Sequence, residues 1–83
     1  MLSQTNVTVT DEAQVIFTSR VGGSKIKIGN ISDKSIFVGA ENVTIDNGLA
    51  IAKTQTESFE MSGMCSLYGV VASGTADIVI LEY

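Results

Sequence analysis

Apolar residues recur along the chain in short alternating or β-branched runs, and no window spaces them at i, i+3, i+4 and i+7 over three turns. The pattern predicts strands throughout and no helix. Val7-Thr8-Val9-Thr10 alternates and reads as a first strand, and Val15-Ile16-Phe17-Thr18 as a second, with Asp11-Glu12 in the turn before it. Arg20-Val21-Gly22-Gly23-Ser24 then breaks the chain. Lys25-Ile26-Lys27-Ile28 sets its lysines on one face and its isoleucines on the other. Asn30-Ile31-Ser32-Asp33-Lys34 is a turn, and Ile36-Phe37-Val38 follows as a buried strand with Phe37 expected in the core. Asp46-Asn47-Gly48 is the strongest local signal. Asn-Gly suits the two positive-φ positions of a type I′ turn, so Leu49-Ala50-Ile51 is expected to return antiparallel to Val43-Thr44-Ile45. Ser58-Phe59-Glu60-Met61, residues 65–71 and residues 76–81 complete the set, separated by Ser62-Gly63 and Ser73-Gly74 turns. This spacing predicts an all-β fold, a small antiparallel β-sandwich or barrel (jelly-roll-like) of about eight strands. Residues 1–83 read as a single β domain, with residues 1–5 as an N-terminal arm.

The last strand departs from the alternation. Ile78, Val79, Ile80 and Leu81 are consecutive, so both faces of that strand are apolar. A two-layer sandwich of 83 residues has no third layer to cover the second face. Val79 and Leu81 are therefore expected in an intermolecular contact; the other reading leaves them exposed or half covered within the monomer.

Composition strengthens the expectation of neighbours. Charged residues are 17% of the chain, against a usual share of about 25%, so the surface carries less charge than a free small domain needs. A domain of this size buries only about 60–65% of the surface its unfolded chain exposes, and disulfides, metals or partners commonly supply the missing stability. Cys65 is the sole cysteine and there is no histidine, so neither an internal disulfide nor a metal site is expected. The net charge of −4 offers no basic stripe, which argues against nucleic acid and against an anionic membrane as partners. Met1-Leu2-Ser3-Gln4-Thr5-Asn6 is polar, without a basic region followed by an apolar one, which predicts cytoplasmic synthesis without classical secretion. The sequons at Asn6, Asn30 and Asn42 are then turn and strand-end chemistry. All basic residues (Arg20, Lys25, Lys27, Lys34, Lys53) precede position 54, and only acids follow: Glu57, Glu60, Asp77 and Glu82. If the strands segregate these halves, the domain has a basic and an acidic end, and Lys25 and Lys27 become a second candidate contact.

No catalytic constellation is visible. Without histidine, neither a Ser-His-Asp nor a Cys-His pair can form, so no enzymatic activity and no cofactor is expected. Cys65, beside Met64 and near Leu67, reads as an inert core thiol. Glu57 and Glu60 read as solvated face. Asp11, Glu12 and Asp33 would line a cation site only if their loops converge. Gly22-Gly23 reads as a turn, since no strand-loop-helix context accompanies it.

A set of dispersed segments resembles short virion structural proteins of tailed bacteriophages. These are Asn6-Val7-Thr8-Val9-Thr10, Arg20 with Ile26-Lys27-Ile28-Gly29-Asn30, Ile36-Phe37-Val38-Gly39, Asn47-Gly48-Leu49, and Leu67-Tyr68-Gly69-Val70-Val71-Ala72-Ser73-Gly74-Thr75-Ala76-Asp77-Ile78. A Pro-Gly-like turn common in that class is replaced here by Lys53-Thr54-Gln55-Thr56. The resemblance implies a head decoration (cement) protein, or a small head or neck component, assembled into the virion in the host cytoplasm. Its implied partners are further copies of itself, with a trimer favoured, and the major capsid protein or another virion protein; it implies no activity and identifies no contact residues. Two other classes fit the same chain: a receptor- or glycan-binding β module of a phage tail or fibre, and a monomeric toxin-neutralising or inhibitor protein.

Overall fold

The computed structural model describes residues 3–83 and contains eight strands: β1 (Ser3–Thr10), β2 (Gln14–Thr18), β3 (Ser24–Asn30), β4 (Ile36–Gly39), β5 (Leu49–Ile51), β6 (Thr56–Met61), β7 (Ser66–Val70) and β8 (Thr75–Glu82). They form two four-stranded antiparallel sheets, ordered β1-β8-β3-β6 and β2-β7-β4-β5. That order is an eight-stranded jelly roll. The chain crosses between sheets at every connection except β4 to β5.

The core lies between the sheets and follows the alternation of the sequence. Ile26 and Ile28 of β3 are fully buried while Lys25 and Lys27 are exposed. Ile78 and Ile80 of β8 face Ile16, Ile36, Val38 and Ile51 of the other sheet within one apolar cluster. β2 would break the rule, since Val15, Ile16 and Phe17 are consecutive. A bulge between Val15 and Phe17 resolves it: the extra residue lets both Ile16 and Phe17 turn toward the core.

One buried polar residue ties the sheets together. Asn30, 1% exposed, ends β3; its Nδ2 donates to the carbonyls of Lys34 (2.6 Å) and Ile51 (3.0 Å), and its Oδ1 accepts from the Ser32 N–H (3.0 Å) and hydroxyl (2.6 Å). Its backbone carbonyl accepts from the Thr54 N–H at 3.0 Å. Asn30 thus joins the β3–β4 connection to the end of β5 through its side chain and to the β5–β6 connection through its backbone, with every buried side-chain polar atom of the described residues satisfied.

Three expectations are corrected. Residues 43–45 form no strand, and Asn47-Gly48 is not a type I′ turn. Neither has a positive φ, and both N–H groups donate to the Thr44 carbonyl, at 3.3 and 3.0 Å. β5 pairs instead with β4, setting Ile36 opposite Ile51. The competing demand is cover: the β4–β5 connection folds back over the outer side of its sheet, where Val43 and Val70 are each 5% exposed yet lie outside the main core. Phe37 is the second correction. It faces outward with Val70 and is half-buried, while its neighbours Ile36 and Val38 take the core positions. Third, the arm expected over residues 1–5 is strand from Ser3 onward, paired with β8; Met1 and Leu2 lie outside the described residues.

Candidate interaction surface

β8 and β3 are the central strands of their sheet, and their outward residues define its wet face. Register places Leu81 directly opposite Lys27, and Val79 opposite Gly29. Lys25 stands opposite Glu60. All four residues singled out from the sequence, Val79, Leu81, Lys25 and Lys27, therefore share one face. Val79 and Leu81 are half-buried rather than exposed, flanked by Asn6 and Gln4 of β1. Tyr83 continues the patch: it is 50% exposed, and the Lys27 Nζ stands 5.7 Å from its ring centroid.

At the pole beside this face a cleft of about 590 Å³ opens, lined by the Arg20–Lys25 turn region, residues 60–63, Glu82 and Tyr83. Gly23 shapes its floor. Its φ is +100°, and a Cβ there would collide with the Met61 carbonyl, so only glycine fits. The cleft wall is one hydrogen-bonded group. Arg20 Nε donates to Glu82 Oε2 at 2.9 Å, the Ser24 hydroxyl donates to the same oxygen at 3.0 Å, and the Arg20 N–H donates to Ser24 Oγ at 3.0 Å. The Arg20 guanidinium holds the Glu82 carboxyl below the ordinary glutamate range; partial burial opposes this and the Ser24 hydroxyl reinforces it.

This pairing removes the expected charge segregation. β3, with Lys25 and Lys27, lies between β8 and β6, which carry the late acids. Basic and acidic residues therefore interleave, and the domain has no basic end and acidic end. Cys65 is likewise not a core thiol but exposed. It precedes β7, where strand alternation does not yet apply, and the interior place goes to Ser19, 2% exposed, whose hydroxyl donates to the Gly63 carbonyl (2.6 Å) and accepts from the Cys65 N–H (2.8 Å). Nothing in the sequence distinguishes Ser19 from other turn serines. Asp11, Glu12 and Asp33 do not gather: among the described residues no three acidic, cysteine or histidine side chains converge.

No protein-family model matches the chain, and no curated protein matches it. Among solved structures it is similar to a Bacillus endospore appendage protein, from a family of disulfide-linked pili. The two are 14% identical with a TM-score of 0.51, over all of this chain and 84% of that one. At that identity the likeness concerns the fold.

Proposed function

We propose that this chain is a non-enzymatic structural subunit, working in a multi-copy assembly at the surface of a particle or cell. The observation that supports it best is the outward pair Val79 and Leu81 on a central strand. Outward aliphatic residues there add little to the monomer's core, which Ile78 and Ile80 already complete, and since both are already half-buried a partner that covers the rest contributes roughly half of the ~1.5–3 kcal/mol of full burial for each. Lys25, Lys27 and Tyr83 give the patch a polar rim. The fold likeness to an appendage protein agrees with this class of role. That family is disulfide-linked; with one cysteine, this chain can join covalently only in twos, so a longer assembly of it is held by noncovalent contacts.

A second setting is favoured by the resemblance of residues 67–78 and the other quoted segments to phage virion proteins. There the subunit decorates a capsid, docks on the major capsid protein as an oligomer, trimeric on that reading, and gains avidity from the lattice. The receptor- or glycan-binding alternative has less support, since Tyr83 is the one aromatic among the exposed large side chains of the described residues.

Light scattering on a sizing column, over a range of concentrations, is the test. The wild type is expected to associate, and Val79→Asp or Leu81→Asp to cut its assemblies down to pairs or single chains while the isolated domain stays folded. A wild type that stays monomeric at every concentration, alone and with capsid or appendage material, overturns the proposal.

A further inference from the structure

A jelly roll has four sheet edges, and unpaired edges template further strands unless something blunts them. Three of the four here carry a recognised device. β2 is bulged, β5 has only three residues, and β6 carries Glu57 and Glu60. β1 has none. Its eight residues, SQTNVTVT, contain no charge and no proline, and pair with β8 without a register break.

The edge is open over only part of its length. In an antiparallel pair, residues alternate between those whose N–H and C=O face the partner strand and those whose groups face away. The Thr10 carbonyl accepts from the Val71 N–H at 2.9 Å, and the Thr8 carbonyl from Gln14 Nε2 at 3.5 Å; neither donor is on β8. The even-numbered residues of β1 therefore face away from β8. Thr10 and Thr8 are occupied, whereas Gln4 and Asn6 have no backbone partner on that side among the described residues. Residues 3–6 are also exposed on both faces. The open stretch is residues 3–7, and its middle residue is Thr5.

We propose that residues 3–7 pair antiparallel with the same segment of a second copy, about a two-fold axis through Thr5; this rests on the assembly reading above and adds a second contact to it. The axis is fixed by three conditions. Keeping the wet faces of the two sheets on one side requires paired residue numbers to sum to an even value. Using Gln4 and Asn6 on both copies requires Gln4 opposite Asn6, which sets that sum at ten and yields four backbone hydrogen bonds. Avoiding the occupied Thr8 and Thr10 carbonyls excludes the longer overlaps. A second copy suits the edge better than a charged partner: the chain is net negative, and this uncharged segment lets two copies meet without like charges in register. The product is an eight-stranded sheet with both Val79–Leu81 patches on the same side. Such an isologous contact closes on itself, so it makes pairs, and growth beyond the pair belongs to the sheet face.

Cysteine scanning in a Cys65→Ser background tests this. Thr5 would face its own copy as a non-hydrogen-bonded pair with Cα atoms about 4.5 Å apart, within disulfide range. Thr5→Cys is expected to oxidise rapidly to a covalent dimer, and Asn6→Cys and Val7→Cys to remain largely monomeric. Asn6→Pro removes an edge N–H that β8 does not use; pair dissociation should become about tenfold or more easier, with melting unchanged at dilutions where both proteins are monomeric. Faster cross-linking at Asn6→Cys or Val7→Cys than at Thr5→Cys overturns the pairing. So does a monomeric Thr5→Cys under oxidation; if Val79→Asp still abolishes wild-type association in that case, the assembly proposal stands and only the edge contact falls.

Discussion

At the residue scale, the chain's least comfortable backbone position is Thr54, the only non-glycine with positive φ (62°) among the described residues. A β-branched residue is strained there, at roughly 1–2 kcal/mol. It is held because its N–H donates to the buried Asn30 carbonyl (3.0 Å) and the Gln55 N–H donates to Ala52 (3.1 Å), closing a turn whose third residue must be left-handed. Lys53-Thr54-Gln55-Thr56 thus takes a geometry that favours glycine without a glycine in it. Thr54→Gly should raise stability by about 0.5–1 kcal/mol after the extra entropy of an unfolded glycine is subtracted, visible as a higher denaturant midpoint; a lower midpoint would mean the turn is unstrained. Glu82 gives a pH dependence with a definite sign. Its carboxyl is held below the ordinary range by Arg20, so its contribution is complete above the unfolded value of about 4.3 and is lost as pH falls through the lower folded value. Glu82→Gln should flatten the acid limb of a stability–pH profile, and an unaltered limb would show that the pair with Arg20 contributes nothing. Neither Asn30 nor Ser19 was legible as a hub, because a sequence shows an asparagine or serine near a turn but not which distant carbonyls it meets.

At the element scale, strands whose burial follows their own alternation were readable and the one decided by distant cover was not. β3 needed only the period-two spacing of Ile26 and Ile28, and all eight strands overlap runs visible in the sequence. The exception is the β4–β5 connection. Asn47-Gly48 is a strong hairpin signal, yet the outward side of β4 and β7 carries Phe37 and Val70, and leaving both wet is worse than forgoing a local turn. Val43 covers them, and the connection packs closely: a Cβ on Gly48 would lie 2.8 Å from Val43 Cγ2 and 2.9 Å from Phe37 Cβ. Asn47 serves this loop through its side chain, whose Oδ1 accepts from the Thr44 N–H at 2.7 Å. Asn47→Gly discriminates the two geometries. A type I′ turn tolerates glycine at its first central position, whereas the observed loop loses a hydrogen bond and gains unfolded-state entropy, a destabilisation of about 1–2 kcal/mol. Equilibrium denaturation of that variant matching the wild type would restore the hairpin. Phe37 was misplaced for the same reason: the Ile36-Phe37-Val38 run shows that one parity is buried but not which, and the answer depends on β5, whose Ile51 meets Ile36.

At the scale of the whole molecule, the fold class was legible because turn spacing sets strand number, and strand number in 83 residues leaves few closed arrangements. The proposed assembly surface was half legible. Four consecutive apolar residues announced β8 as unusual, but only the register could bring Val79, Leu81, Lys25 and Lys27 onto one face, and only the sheet order could identify β1 as the unblunted edge. The proposals above use that placement for two noncovalent contacts, an isologous edge and a sheet face. Together they suffice to extend an array, since pairs joined through a second surface need not close. The exposed Cys65 cannot extend an array by itself, because one thiol per chain terminates each covalent link at two copies. Assembly by this chain should therefore withstand reductant, and Cys65→Ser should assemble to the wild-type size distribution in light scattering and electron microscopy. A Cys65→Ser variant that stays monomeric, or wild-type particles that fall apart on reduction while the monomer's melting temperature is unchanged, would place the decisive contact at the thiol and displace the sheet face from that role.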